Sequence, residues 1–600
     1  MSLNSASLNS ASSNSASLCP RPRWVSLLDE GEAPVDLPAQ GYRLKVVSGA
    51  ATIDAADEAG HFYAAVTLDQ LRDLYPDGIP DVAIVDWPAI AQRGVMLDVS
   101  RGKVPTVETL ELLIDRLARL KINVVQLYLE HTYAHPGHSE AWAEATPYTA
   151  ADVARLRTFA VQRQVDLVGQ QNALGHMERW LEHPRYAPLA ALPGGYRNDQ
   201  GGHEPAACVD PALPEAFELV AELVSNVALA FDSPFVHVGL DEPIDLNPSV
   251  WDAIFDVPGA PVPWEHVDNG AFCVPLPEPR RTQYLQWVQR LRALPALEGR
   301  QMLMWADVMA PHPELLAEVP EGVTLVEWGY ESTHPFDARC ARIAAAGHPL
   351  WVAPGTSSWS SMSGRIVNMT GNVRAAVDAA QRYGAEGLLM CDWGNLGHFQ
   401  YLPVSWPGFL TAAALSWNPS STPDVADGLA RFVAHDEALV EATWRLGHAN
   451  DLITPCAPEA GTLAALLTDE SAAVLLMAGG MTAAMLTAVD DELSDCIQRA
   501  VGSTGGDLDG RLWADEIAAA AAWLRLGVSR ARSQLGWPGA LDESLWANEV
   551  ERLLEEHRRL WLARNRASGI DHSIAMLRHV TGTLAVIAQQ EEISHGVDHA

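Results

Sequence analysis

Residues 94–130 read GVMLDVSRGKVPTVETLELLIDRLARLKINVVQLYLE, and the fold is decided here. Val95–Ser100 is an apolar run that turns polar at its end. From Thr106 the pattern changes: Val107, Leu110, Leu113, Ile114, Leu117 and Leu120 recur at helical spacing and make one apolar face. Asn123–Glu130 is a second apolar run, again ending on a charge. The stretch is therefore a strand, an amphipathic helix and a strand.

Outward from it the same unit repeats. Strands are expected at DLVGQQNA, FVHVGL, QMLMWAD, VTLVEWGY, PLWVAPG and GLLMCDWG. Helices are expected at TAADVARLRTFAVQRQ, with Thr149 as its cap, and at LPEAFELVAELVSNVALAF, RRTQYLQWVQRLRAL, PELLAEV, DARCARIAAAG, NVRAAVDAAQRYG and WPGFLTAAALSW. Eight strand-then-helix units ending near Trp417 predict a closed (β/α)8 TIM barrel. The competing open, doubly wound sheet more often carries a glycine-rich phosphate loop after its first strand, and DVSRGKVP is not one.

The flanks differ. Residues 1–22 form a Ser/Asn-rich repeat expected to be a disordered tail. Residues 23–90 read as a small α/β domain, residues 91–420 as the barrel, and residues 421–600 as a helical domain with little strand signal. Acidic residues outnumber basic ones 76 to 40, a net charge of −36, which argues against nucleic acid or anionic membrane as a partner. No apolar run reaches the roughly 18 residues of a membrane span. Seven scattered cysteines without a CxxC, and a start with neither a basic nor an apolar leader segment, point to a reducing, cytoplasmic setting.

Active sites of such barrels lie at the C-terminal ends of the strands. Reading those ends in order gives Arg101, Glu130, His176, the pair Asp241 and Glu242, then Trp305 and Asp307, Trp328 and Tyr330, Trp359, and Trp393 with Asn395. Carboxylates and tryptophans recur on one rim, in a chain with 20 Trp against 12 Tyr and 11 Phe. A lone Asp-Glu pair is usually a solvated strand end, and a lone Trp usually packs a core. His131, His135 and His138 have spacings that suit a metal, but no Cys or second ligand pair accompanies them, so no metal or other cofactor is expected. No G-x-S-x-G is present. Paired carboxylates beside flat aromatic surfaces suit glycoside hydrolysis, in which one acid protonates the departing oxygen and a second carboxylate stabilises charge at the anomeric carbon. Neighbours on a strand point to opposite faces, however. Asp241 and Glu242 would share one sugar only if one reached the leaving group and the other a side group.

The sequence resembles the family 20 glycoside hydrolases. HVGLDE, His237–Glu242, matches that family's H-x-G-x-D-E motif. RGVMLDVS through LYLE is similar to its first barrel segment, NALGHMERW to its P-G-H segment with Leu174 in the proline's place, and IVDWPAIAQRG to the end of its N-terminal domain. The likeness covers about residues 40–417 and is nearest a shorter intracellular bacterial branch. It implies an exo-acting β-N-acetylhexosaminidase. Glu242 would be the general acid and then the base, and Asp241 would hold a 2-acetamido group that itself attacks the anomeric carbon. Arg101 would bind ring hydroxyls, Glu130 and His176 would form a supporting pair, and Trp305, Trp328 and Trp393 would wall the sugar. Asp307, Tyr330, Trp359 and Asn395 complete the expected substrate contacts. The chain departs from the family at Glu130-His131, where Asp-Asp is common, and at Asn395, where Glu is common. It also lacks a tyrosine near the seventh strand, for which Tyr330 is the substitute. GlcNAc and GalNAc both stay open. So do two alternatives: a retaining glycosidase with its own nucleophile, and an inactive sugar-binding scaffold. The expected partner is a saccharide ending in an N-acetylhexosamine. A second copy of the chain is among the roles open to the helical domain.

Overall fold

A computed structural model describes residues 36–197, 203–247, 274–454, 461–469, 471–503 and 508–582. The expected tail at 1–22 lies outside them. Eight parallel strands close into a barrel: β1 Gln92–Asp98, β2 Val124–Tyr128, β3 Asp166–Gln170, β4 Phe235–His237, β5 Gln301–Trp305, β6 Val323–Trp328, β7 Leu350–Ala353 and β8 Gly387–Asp392. Each pairs in register with the next, and β8 returns to β1 through six residue pairs, Gly387 with Gln92 to Asp392 with Leu97.

The strands are apolar on both faces because both faces are covered. Val95 and Leu97 of β1 pack outward under the helices. Met96 points inward with Val124, Val168, Leu303, Val326 and Leu389. The helix Val107–Arg119 starts where Thr106 Oγ1 accepts the Thr109 amide at 3.1 Å. Its expected face, Val107 through Leu117, is buried. Thr149 caps Ala150–Val161 in a reciprocal box with Asp152. PELLAEV forms a 3-10 helix, Pro313–Glu318, in place of an α-helix.

Before the barrel, helix Glu58–Leu74 packs on a three-stranded antiparallel sheet in the order Ala50–Ala55, Tyr42–Val47, Val82–Asp86. The Ala50–Ala55 strand is an exposed edge and carries no apolar alternation to read. A buried polar cluster joins sheet to barrel. Asp86 Oδ2 accepts from Tyr42 Oη at 3.0 Å and from Trp417 Nε1 at 2.9 Å, with Lys121 Nζ at 3.6 Å. Burial pushes the Asp86 carboxyl up and the Lys121 ammonium down to about 8, each opposed by the other's charge. Removing one partner of such a pair leaves the other charge buried alone. Asp86→Ala is expected to destabilise the protein by about 3–5 kcal/mol in equilibrium denaturation, and Asp86→Asn by less.

After Trp417 the described chain is helical. AAVLLMAGGMTAAMLTAV does not form one helix. It breaks at Gly479–Met481, and Thr482 caps a new helix, Ala483–Gly502. Helices Leu508–Gln534, Glu543–Arg564 and Ile570–Gly582 follow, and the rest of the last expected helix lies outside the described residues. No described helix is long and apolar enough to cross a membrane.

Candidate active site

Strand β4 stops at His237, four residues before Asp241. The chain then takes left-handed backbone at Gly239 (φ 70°), Leu240 (φ 76°) and Glu242 (φ 45°). This breaks the alternation that would send Asp241 and Glu242 to opposite sides. Left-handed backbone costs a non-glycine residue about 1–3 kcal/mol and persists where surroundings enforce it. Here Gly239 O accepts from Trp305 N at 3.0 Å, Leu240 O from Tyr284 Oη at 3.1 Å, and Asp307 Oδ2 from Glu242 N at 3.1 Å. Glu130 (φ 43°) and His176 (φ 53°) are left-handed too. Three of the expected polar site residues therefore sit on strained backbone.

His176 lies against both acids, its Nε2 3.3 Å from Asp241 Oδ2 and 3.5 Å from Glu242 Oε2. One donor atom from each of the three falls within 4.8 Å of the others. Burial disfavours the imidazolium, but Asp241 and then Glu242 outweigh it and hold His176 well above its usual range. Burial likewise opposes the Asp241 charge, and His176 reverses it, keeping that carboxyl below its usual range. The three therefore have the spacing of a cation site as well as of a hydrogen-bonded triad. Linkage gives a pH test. A histidine raised on folding stabilises fully below its unfolded value of about 6.5 and loses that contribution as pH rises through the folded one. The stability gap between wild type and His176→Gln is expected to be wide at about pH 6 and to narrow on the alkaline side, read by denaturant titration.

The expected Glu130–His176 pair does not form among the described contacts. Glu130 Oε1 instead accepts from Tyr128 Oη at 3.0 Å and lies 3.5 Å from Arg101 Nη2. Arg101 Nη1 donates to Asp98 Oδ2 at 2.8 Å, and its guanidinium covers the rings of Tyr128 and Trp393 at 4.9 and 5.2 Å. Asp98 Oδ2 also accepts the Gly394 amide at 2.9 Å and so joins the loops after β1 and β8. Burial opposes the Asp98 charge, yet Arg101 and then His398 hold it below the usual range. Asp98 was not among the expected site residues. Its signal was available: an acid closing a buried strand, three residues before Arg101.

Ten of the twelve expected residues line one cavity of about 170 Å³: Arg101, His176, Asp241, Glu242 and Asn395 with the aromatic wall Trp305, Trp328, Tyr330, Trp359 and Trp393. Tyr330 stacks on Trp328 with centroids 5.3 Å apart, meets Trp359 edge-on, and accepts from Trp393 Nε1 at 2.8 Å. Glu130 and Asp307 lie behind the lining. Asp307 was expected to touch substrate but braces the wall, accepting from Glu242 N and, at 3.3 Å, from Trp328 Nε1. Burial and then the Asp241 charge raise its carboxyl well above the usual range. Two polar atoms here are buried without a partner, Asp241 Oδ1 and Trp305 Nε1. His131, His135 and His138 do not converge. His135 Nε2 bonds Gln171 Oε1 at 3.0 Å and His138 Nδ1 bonds Tyr186 Oη at 2.8 Å. A larger hollow of about 600 Å³ lies among the last helices, and none of the rim residues lines it.

The family model for the glycosyl hydrolase family 20 catalytic domain matches residues 91–362, and that for the family's domain 2 matches residues 4–87. A β-hexosaminidase of Akkermansia muciniphila is 27% identical over 242 residues, 36% of this chain and 48% of its own length. A β-N-acetylhexosaminidase of Cellulomonas fimi is 29% identical over 237 residues, 35% of this chain and 46% of its own length. The chain thus spans about half the length of these curated relatives. A solved β-N-acetylhexosaminidase structure shares the fold, with TM-score 0.50 at 19% identity over 70% of this chain and 89% of that one. With both family domains matched in order, over more than half of its residues, the chain belongs to glycosyl hydrolase family 20.

Proposed function

We propose that the protein is an exo-acting, retaining β-N-acetylhexosaminidase working by substrate assistance, with residues 91–420 as its catalytic unit. One observation carries the reading: a cavity of about 170 Å³ whose lining brings Asp241 and Glu242 together with Arg101, Asn395 and the aromatic side chains Trp305, Trp328, Tyr330, Trp359 and Trp393. A 2-acetamido group would offer its N–H to the Asp241 carboxylate and its carbonyl oxygen to the Tyr330 hydroxyl, whose own oxygen accepts from Trp393 Nε1.

Glu242 gives its proton to the glycosidic oxygen as the C1–O bond breaks. The acetamido oxygen attacks C1 from the other face and forms an oxazolinium ion, a route for which this family is known. The positive charge spreads to the amide nitrogen, whose proton Asp241 accepts in a hydrogen bond. Glu242 then takes a proton from water, the water oxygen attacks C1, the ring opens, and two inversions give retention. Arg101 and Asn395 face the sugar hydroxyls, and Trp328, Trp359 and Trp393 face the ring. The burial of Cys208, Cys340, Cys391 and Cys496 as free thiols supports a reducing, cytoplasmic setting.

The spacing of the acids does not separate this route from an enzyme nucleophile, since carboxyls about 5 Å apart serve ordinary retaining enzymes. Dependence on the substrate's N-acetyl group does. Asp241 is 6% exposed and has one oxygen engaged by His176. Chromogenic β-GlcNAc, β-GalNAc and β-glucoside substrates test the proposal. Turnover is expected for the N-acetyl sugars alone, with inhibition by an N-acetyl-thiazoline mimic. Equal β-glucoside turnover supports a nucleophile, and binding without turnover supports a scaffold.

A further inference from the structure

The helical region meets the barrel on the rim that carries Arg101. The turn after helix Glu543–Arg564, together with the ends of the two helices it joins, touches three rim loops within ten residues. On the loop after β1, Arg566 N donates to Val104 O at 2.8 Å, Thr106 N donates to Arg564 O at 2.9 Å, and Pro105 and Asn565 form a β-bridge. On the loop after β2, Arg566 Nη1 donates to Thr146 O at 3.1 Å and to Pro147 O at 2.5 Å, and Arg566 Nη2 lies 3.1 Å from Asp152 in the first turn of the helix that follows. On the loop after β8, Ser573 Oγ donates to Gly397 O at 2.7 Å.

A backbone-to-backbone approach lies next to Arg101 in sequence. Gly102 (φ 87°) and Gly569 (φ 76°) face each other backbone to backbone, and a Cβ on Gly569 would fall 2.3 Å from Gly102 O. No side chain fits there, and both residues hold a backbone that favours glycine. Lys103 continues the contact. It is buried, with Nζ bonded to Gln400 O at 2.7 Å and lying 4.9 Å from the Trp561 ring centroid.

We propose that Gly569 and Arg566 are positioning residues for the sugar site: the turn they form holds the loop after β1, and with it the Arg101 guanidinium, at the cavity. The inference rests on the activity proposed above only for its kinetic readout. Displacement of a binding group by an ångström costs a large factor in rate even when the change is made elsewhere.

The test uses the full chain. Gly569→Ala and Arg566→Ala are each made in wild type and in Arg101→Ala. Arg445→Ala, which breaks an ion pair with Glu492 inside the helical region, serves as the stability control. Each turn variant is expected to lower kcat/KM on a chromogenic β-N-acetylhexosaminide about tenfold in wild type and less than about twofold in Arg101→Ala. Arg445→Ala is expected to change kcat/KM less than about twofold at a comparable loss of Tm. Equal factors in both backgrounds, or a control that loses as much rate, overturn the proposal. Amide exchange over residues 99–106 without substrate gives a second readout. It is expected to be about tenfold faster in the turn variants, and unchanged exchange overturns the proposal. Absence of turnover in wild type would count against the activity and leave the exchange result decisive here. Should Gly569→Ala not fold, Arg566→Ala carries both measurements.

Discussion

Glu242→Gln lowers kcat about 10²–10⁴-fold on substrates with a sugar or alkyl leaving group, with KM little changed. The substitution keeps shape and hydrogen bonding but removes the proton that the departing alkoxide needs. The size of the loss depends on the leaving group. A dinitrophenolate departs without protonation, so the deficit is expected to shrink with that aglycone in the first step and to persist in the second, where the same residue activates water. The wall should not rearrange, because Glu242 N, bonded to Asp307, is unaffected. Binding of the thiazoline mimic, measured by calorimetry, is therefore expected to survive. Wild-type turnover in Glu242→Gln would remove this residue from the chemistry.

Asp241→Asn is expected to lower kcat about 10²–10³-fold while substrate still binds. The reason is charge. Asp241 accepts from the acetamido N–H as that nitrogen becomes cationic, and an asparagine oxygen holds a neutral amide nearly as well but an oxazolinium far less well. The substitution also takes away one of the two carboxylates beside His176. The imidazole pKa, followed by NMR, should fall toward its ordinary value. A full-rate Asp241→Asn enzyme would mean that the amide takes no part.

Much of the barrel was legible because its strands are buried on both faces. Such strands read as apolar runs, and the helices between them show one apolar face, as Val107 to Leu117 do. The rim residues were legible for a topological reason: in a closed parallel barrel, strand ends in sequence order are neighbours in space. What stayed hidden was local backbone and long-range contact. Nothing in VGLDE announces left-handed residues at Leu240 and Glu242, yet these let two adjacent acids face one cavity. Nothing in the order of Glu130, His176 and Asp241 shows that the histidine sits on the acids and that Glu130 joins Arg101 instead. Asp307 follows β5 as a substrate contact would, but it turns behind the wall. The strand Ala50–Ala55 leaves no trace in the sequence because an exposed edge strand needs no apolar alternation. The contact of Gly569 with Gly102 crosses several hundred residues and leaves only two glycines as its trace.

The central claim is that the substrate's own amide makes the attack. A series of aryl β-glucosaminides bearing N-acetyl, N-fluoroacetyl, N-difluoroacetyl and N-trifluoroacetyl groups tests it most directly. Fluorine drains electron density from the attacking oxygen with little change in size. The account predicts that kcat/KM falls steeply and monotonically along the series, and that the slope flattens in Asp241→Asn. A rate indifferent to the fluorines would contradict it and return the first step to a nucleophile on the protein.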